Sequence, residues 1–188
     1  MAIETIAIKP AKALIIHGWN DDPSGGWLGW LANHLQAEGY EVRAPHMKTD
    51  VRPLMQSWNE QVASVAEGLG SDDIIIAHSL GCFLALRLLE GDQIKEPIRK
   101  VLLVSGFYDA PNDSASKFFE PEPNWQSIRT LGNEFICVGS SDDAIVTPDR
   151  TRRLAHKLDA KLIMFADKGH FLGSRGMATF PEILELID

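Results

Sequence analysis

Short apolar runs recur along the chain at intervals that leave room for a helix between them: Ala13-Leu14-Ile15-Ile16, Tyr40-Glu41-Val42-Arg43, Ile74-Ile75-Ile76, Val101-Leu102-Leu103-Val104, Phe135-Ile136-Cys137-Val138 and Leu162-Ile163-Met164-Phe165. Most are continuous rather than alternating, which is the pattern of strands covered on both faces. The stretches between them carry helical spacing. Trp27, Trp30, Leu31, His34 and Leu35 share one stripe that ends near Gly39, and Leu54, Trp58, Val62, Val65 and Leu69 share another. A third helix is expected to start at Thr147-Pro148-Asp149, with a capping threonine and a first-turn proline, and to bury Leu154, Ala155 and Leu158. Alternation of this kind predicts an α/β fold: a mostly parallel sheet of about six strands with helices on both faces.

In such sheets ligands bind outside the carboxyl ends of the strands. The residues just after each run are therefore informative, and they are consistently polar. His17-Gly18-Trp19-Asn20 comes after the first run and Ser79 after the third, while Gly139-Ser140-Ser141-Asp142-Asp143 comes after the fifth and Asp167-Lys168-Gly169-His170-Phe171 after the sixth. Ser79 stands within Ala77-His78-Ser79-Leu80-Gly81, between a buried strand and the apolar run Cys82-Phe83-Leu84-Ala85-Leu86. That is the setting of a nucleophile elbow, in which a sharp strand-to-helix turn lifts a serine hydroxyl above the sheet edge. Ala77 replaces the first glycine of G-x-S-x-G and is still small enough for the turn. The order Ser, Asp, His along the chain is that of α/β-hydrolases, not of chymotrypsin-like or subtilisin-like proteases.

Those residues assign roles. Ser79 is the expected nucleophile and His170 the base that takes its proton, and Asp143 is expected to orient His170. Neighbouring residues in extended chain point in opposite directions, so one of Asp142 and Asp143 is expected to face the base, and the resemblance of Asp143-Ala144-Ile145-Val146 to the D-x-x-V placement of α/β-hydrolases favours Asp143. Asp109, shortly after the fourth strand, is a rarer alternative for the acid. Backbone N–H groups of Leu80 and Trp19 are the expected oxyanion donors. His78 is read as a packed structural histidine turned away from Ser79, His17 as a residue that fixes its loop beside the substrate pocket, and Asn20-Asp21-Asp22 as a solvated turn. Phe107, Trp125 and Phe171 are further pocket candidates. Phe107 and Trp125 belong to the segment from Ser105 to Asn133, which stands where larger α/β-hydrolases insert a cap.

With His78-Ser79 in the elbow, Asp142-Asp143-Ala144-Ile145-Val146 and Gly169-His170-Phe171 in the late loops, and Trp125 within Pro121-Glu122-Pro123-Asn124-Trp125, the whole chain resembles the α/β-hydrolase superfamily. Within it, the resemblance is to the small serine hydrolases of the RBBP9/YdeN type. It implies a single α/β-hydrolase domain over 1–188 with a short cap region and a Ser-Asp-His triad. Vertebrate members carry an L-x-C-x-E sequence for binding retinoblastoma-type proteins. Neither Cys82 nor Cys137 has that setting here, so such binding is not implied.

Composition narrows the functional classes. A net charge of −8 disfavours nucleic acid and anionic membrane as partners and leaves a small neutral or cationic ligand, or a protein; with the candidate triad, a small-molecule ester is the expected substrate. Two cysteines in apolar segments suggest buried thiols, and with no secretory signal or spanning run the expected location is cytoplasmic. The six histidines lack metal-ligand spacing, so no metal and no cofactor are expected. The expected activity is that of a carboxylesterase-like serine hydrolase acting on small or medium acyl esters. An amidase, thioesterase or acyltransferase would use the same triad, and an interaction protein that retains the triad is the non-enzymatic alternative.

Overall fold

Six parallel strands form one sheet in the order β2-β1-β3-β4-β5-β6 in the computed structural model, which describes residues 9–47, 55–110 and 118–188. The strands are β1 (Lys12–Ile16), β2 (Glu41–Arg43), β3 (Ile74–His78), β4 (Lys100–Val104), β5 (Phe135–Ser140) and β6 (Lys161–Phe165). Between and after them lie α1 (Gly26–Ala37), α2 (Met55–Val65), α3 (Leu80–Glu90), α4 (Trp125–Thr130), α5 (Pro148–Leu158) and α6 (Leu184–Ile187).

Strand periodicity divides the core in two. Leu14, Ile16, Ile75, Ala77, Val101, Leu103 and Cys137 face one way, where they meet Trp58 and Val62 of α2, Phe83 and Leu84 of α3, Ile128 of α4 and Leu154 of α5. Ala13, Ile15, Ile74, Ile76, Leu102, Val104, Ile136 and Val138 face the other, against α1 and the C-terminal Phe180, Ile183 and Ile187. The inner strands are apolar on both faces because both faces are covered. On α1 the buried residues include Trp27, Leu28, Leu31 and Leu35. Trp30 and His34 from the expected stripe stack on each other at its margin, with ring centroids 5.8 Å apart. Leu54 lies outside the described residues, and Thr147 occupies the cap position of α5 without a side-chain capping bond.

From β1 the chain crosses to β2 on one side, and from β3 it proceeds to β4 on the other. The strand order therefore reverses between β1 and β3, and the crevice at a reversal of this kind opens between the two strand ends. The loop after β1 and the elbow after β3 meet there. Gly81 makes this approach possible: a Cβ on it would stand 2.5 Å from the Ile16 carbonyl oxygen and 2.6 Å from that of His17. Both obstacles are backbone and cannot swing aside. Gly81→Ala is expected to destabilise the protein by roughly 1–3 kcal/mol, as overpacked interiors do, and to lower its urea midpoint. An unchanged midpoint would mean that β1 and α3 are less tightly apposed than described.

Candidate active site

Ser79 links β3 to α3 with φ 53° and ψ −122°, a left-handed-side conformation that a non-glycine residue adopts only when its surroundings impose it. The imposed constraints are visible. Its N–H donates to the Val104 carbonyl of β4 at 2.9 Å, and its carbonyl accepts from Cys82 N–H at 3.0 Å as α3 begins. A helix starting immediately after the serine leaves the Leu80 N–H without an intrahelical acceptor. Gly18 lies against the same residue, since a Cβ there would come 2.9 Å from the Ser79 Cβ.

The structure brings Ser79, His170 and Asp143 together from the ends of three strands. Ser79 Oγ is 2.9 Å from His170 Nε2, and His170 Nδ1 is 2.8 Å from Asp143 Oδ2. Asp143 is held through both oxygens. Its Oδ1 accepts from the N–H groups of Ile145 and Val146, each at 2.9 Å, while Oδ2 also accepts from Ser105 Oγ at 2.9 Å. A carboxylate facing four donors in fixed directions leaves His170 Nδ1–H as the matching donor, so Nε2 presents its lone pair to the serine. Burial pushes the Asp143 carboxyl up, but the hydrogen bond and charge of His170 and the two backbone N–H groups outweigh it and hold the acid below its usual range. His170 is lowered, chiefly by burial and further by the charge of His78, against the pull of Asp143. It is therefore neutral at neutral pH, and such a ring can take a proton from a hydroxyl that attacks a carbonyl.

The peptide between Gly18 and Trp19 is oriented from behind. His17 is fully buried, and its Nε2 accepts from Met47 N–H at 2.9 Å, which leaves Nδ1–H to donate to the Gly18 carbonyl at 2.7 Å. In a trans peptide the N–H points opposite to the C=O, so the Trp19 N–H faces away from the His17 ring. Among the described residues it donates to no protein acceptor. Burial lowers the His17 pKa, in keeping with a neutral ring of fixed tautomer.

Comparison with known proteins bears directly on this arrangement. Residues 13–188 match the serine hydrolase family. The chain belongs to that family. It is 30% identical over 184 residues to the serine hydrolase RBBP9 of Rattus norvegicus, with 95% of each chain covered. It is 29% identical over 178 residues to the YdeN protein of Bacillus subtilis (strain 168), covering 94% of each. The crystal structure of the B. subtilis ydeN gene product superposes with a TM-score of 0.87 at 27% identity, over 94% of this chain and 96% of that one. A protein of the alpha/beta hydrolase superfamily from Xanthomonas campestris pv. campestris superposes with a TM-score of 0.64 over 95% of this chain and 99% of its own. At 17% identity it speaks for the fold alone. The fold of this serine hydrolase is that of the α/β-hydrolases.

Other expectations for the site are corrected. Phe171 is fully buried and packs on Phe180 at 5.2 Å between ring centroids, because its φ of 53° turns the side chain into the core instead of toward the serine. Trp125 sits far from Ser79. Asn124 beside it donates its N–H to Glu90 at the far end of α3, and eleven helical residues span roughly 16 Å. The Trp125 ring instead meets Tyr108 edge-on at 4.9 Å, and its Nε1–H donates to Glu122. His17 is fully buried and held by the two bonds that fix its loop. Phe107 is almost buried against Phe119, beneath the Arg150 guanidinium. Asp109 is engaged by Arg150 and Arg153, not by His170. Residues 111–117 of the expected cap lie outside the described residues, and Phe118 and Phe119 pack along the flank of α3 on Phe83.

Two contributors escaped the sequence reading. Ser105, also at positive φ, supplies a hydroxyl to Asp143, and only its place at the end of β4 hinted at this. Asp142, set aside as the acid, ties down the histidine loop instead, since its Oδ1 accepts from Gly169 N–H at 2.9 Å and from Ser140 Oγ at 2.5 Å. Large exposed apolar side chains flank the cluster: Trp19 and Ile145 are each 51% exposed. A cleft of about 530 Å³ adjoins the His170 loop between Lys168 and Thr179, but Ser79 is not among its lining residues. Among the described residues no helix is long and apolar enough to cross a membrane.

Proposed function

We propose that this serine hydrolase cleaves esters of small or medium acyl groups through an acyl-enzyme formed on Ser79. The observation that carries the reading is the continuous hydrogen-bonded line from Ser79 Oγ through His170 to Asp143. In the first half-reaction Oγ attacks the ester carbonyl as its proton passes to His170 Nε2. The proton then moves to the leaving alkoxide, and the acyl group stays on Ser79. Water, deprotonated by the same nitrogen, attacks the acyl carbonyl, and His170 returns that proton to Ser79 Oγ as the acid is released. Asp143 holds the Nδ1–H tautomer and balances the imidazolium charge between the two transfers. The N–H groups of Leu80 and Trp19 receive the developing oxyanion, each contributing roughly 3–4 kcal/mol of barrier lowering.

The small-acyl preference is supported by what surrounds Ser79. Trp19 and Ile145 offer open apolar surface, while Phe107 and Phe171 are packed away and do not line a deep acyl channel. Activity on p-nitrophenyl esters is therefore expected to peak at short acyl chains and to exceed activity on matched thioesters and anilides. A rate that climbs steadily with chain length, or one that is greatest on the amide, would overturn this reading of the substrate.

The pH dependence is set by His170. Only the neutral ring accepts the serine proton, and burial has lowered its pKa. As pH falls, kcat/KM is expected to decline in a single proton step centred below the usual histidine range and to be level above it. An acid limb centred above that range would place the essential base elsewhere.

A further inference from the structure

His78 precedes the proposed nucleophile, and its side chain is only 1% exposed. Its Nε2 lies 2.8 Å from the carbonyl oxygen of His170. A carbonyl can only accept, so Nε2 carries a proton. Its Nδ1 lies 3.1 Å from Asp21 Oδ2. Burial pushes the Asp21 carboxyl up, but its bond to His78 and the charge there, with help from the Asp22 N–H, leave it lowered and ionised. His78 therefore stands between two acceptors contributed by two different loops.

Those loops carry the reacting groups. Asp21 is two residues past Trp19, whose N–H is a proposed oxyanion donor, and the other acceptor is the backbone of the proposed base itself. The histidine loop needs such support, because Gly169 and Phe171 on either side of His170 both have positive φ, near 54° and 53°. A second side chain acts alongside: Trp27 of α1 donates Nε1–H to the Phe171 carbonyl at 2.8 Å, with its ring edge-on to His78. Consecutive carbonyls of the base-bearing loop are thus held by donors from β3 and α1.

We propose that His78, protonated on both ring nitrogens and paired with Asp21, is a positioning residue that ties the Trp19 loop to the His170 loop and keeps oxyanion donor and base in register over Ser79. The proposal rests on the serine-hydrolase mechanism given above. Charge adds a second consequence. The His170 ring has Asp143 on one side and the His78 ring 5.1 Å away on the other, with Asp21 behind His78 and His17 and Asp22 acting on Asp21. Removing the His78 charge while Asp21 stays ionised leaves an unbalanced negative charge near His170 and favours its protonated form.

The test uses the full chain with His78→Gln and Asp21→Asn, read by fluorophosphonate labelling rate against pH and by ¹⁵N NMR of the histidine rings. Glutamine keeps an N–H for the His170 carbonyl but not the charge. The expected result is a labelling rate lower on the order of 100-fold, as small misplacements of reacting groups produce, with the acid limb moved to higher pH. In Asp21→Asn the His78 ring becomes neutral as the carboxylate charge disappears, so the rate falls less and the acid limb stays in place. Ring spectra of the wild type at neutral pH should show both His78 nitrogens protonated, and those of Asp21→Asn only one. An unprotonated His78 nitrogen in the wild type overturns the proposal, as does a His78→Gln protein that labels at the wild-type rate with an unmoved acid limb. A folded wild type that does not label at all overturns the hydrolase mechanism, while the ring nitrogens still decide the state of the clamp.

Discussion

Turnover of an activated short-chain ester is expected to fall by about 10,000-fold or more in Ser79→Ala, with no loss of folded protein. Alanine keeps the Cβ that packs against Gly18, and the backbone bonds to Val104 and from Cys82 do not involve the side chain. The φ of 53° is as costly for alanine as for serine, so the elbow loses no more than one hydroxyl and its bond to His170. What disappears is the only oxygen within hydrogen-bond reach of His170 Nε2 among the described residues. Any residual rate comes from oxyanion donors acting on a water-attacked ester. Steady-state kinetics with circular dichroism as the folding control measures this, and a rate within tenfold of wild type would mean that Ser79 is not the nucleophile.

Asp143→Asn is expected to cost a similar factor, about 10,000-fold in kcat, for a different reason. Two backbone N–H groups, from Ile145 and Val146, demand an acceptor at the Oδ1 position. The asparagine carbonyl must occupy it, which places the amide NH₂ where Oδ2 accepted from His170 and Ser105. An amide donor cannot face Nδ1–H. His170 therefore adopts the other tautomer, with Nδ1 accepting and a proton on Nε2, and that proton is aimed at the hydroxyl the ring should deprotonate. KM is expected to change little, since Asp143 is not placed to touch substrate. A modest fall in kcat would show that His170 is oriented by something other than this carboxylate.

How legible each part was in the chain depends on how local its cause is. The inner strands could be read directly because a parallel sheet buried on both faces needs continuous apolar runs, whereas edge strand β6 exposes Leu162 and survives on its pairing with β5. The elbow was readable because strand, turn and helix are contiguous. Ser105 and Asp21 were not, because their partners lie 38 and 57 residues away and a lone serine or an acidic turn gives no sign of them. The aromatic residues misled for a related reason. Composition reports that Phe171 and Trp125 are large and apolar, while their direction was decided by a positive φ in one case and by the anchoring of Asn124 to Glu90 in the other. Alternation makes Asp142 and Asp143 point apart, and Asp143 meets His170, yet alternation could not show that Asp142 would fasten the histidine loop.

The central claim is that His170 activates Ser79. It is tested most directly by treating the wild type, Ser79→Ala and His170→Ala with a fluorophosphonate at neutral pH and locating any adduct by peptide mass. A single adduct on Ser79 is expected in the wild type and none in either folded variant. A folded wild type that stays unlabelled, or an adduct that persists in Ser79→Ala, would contradict the claim.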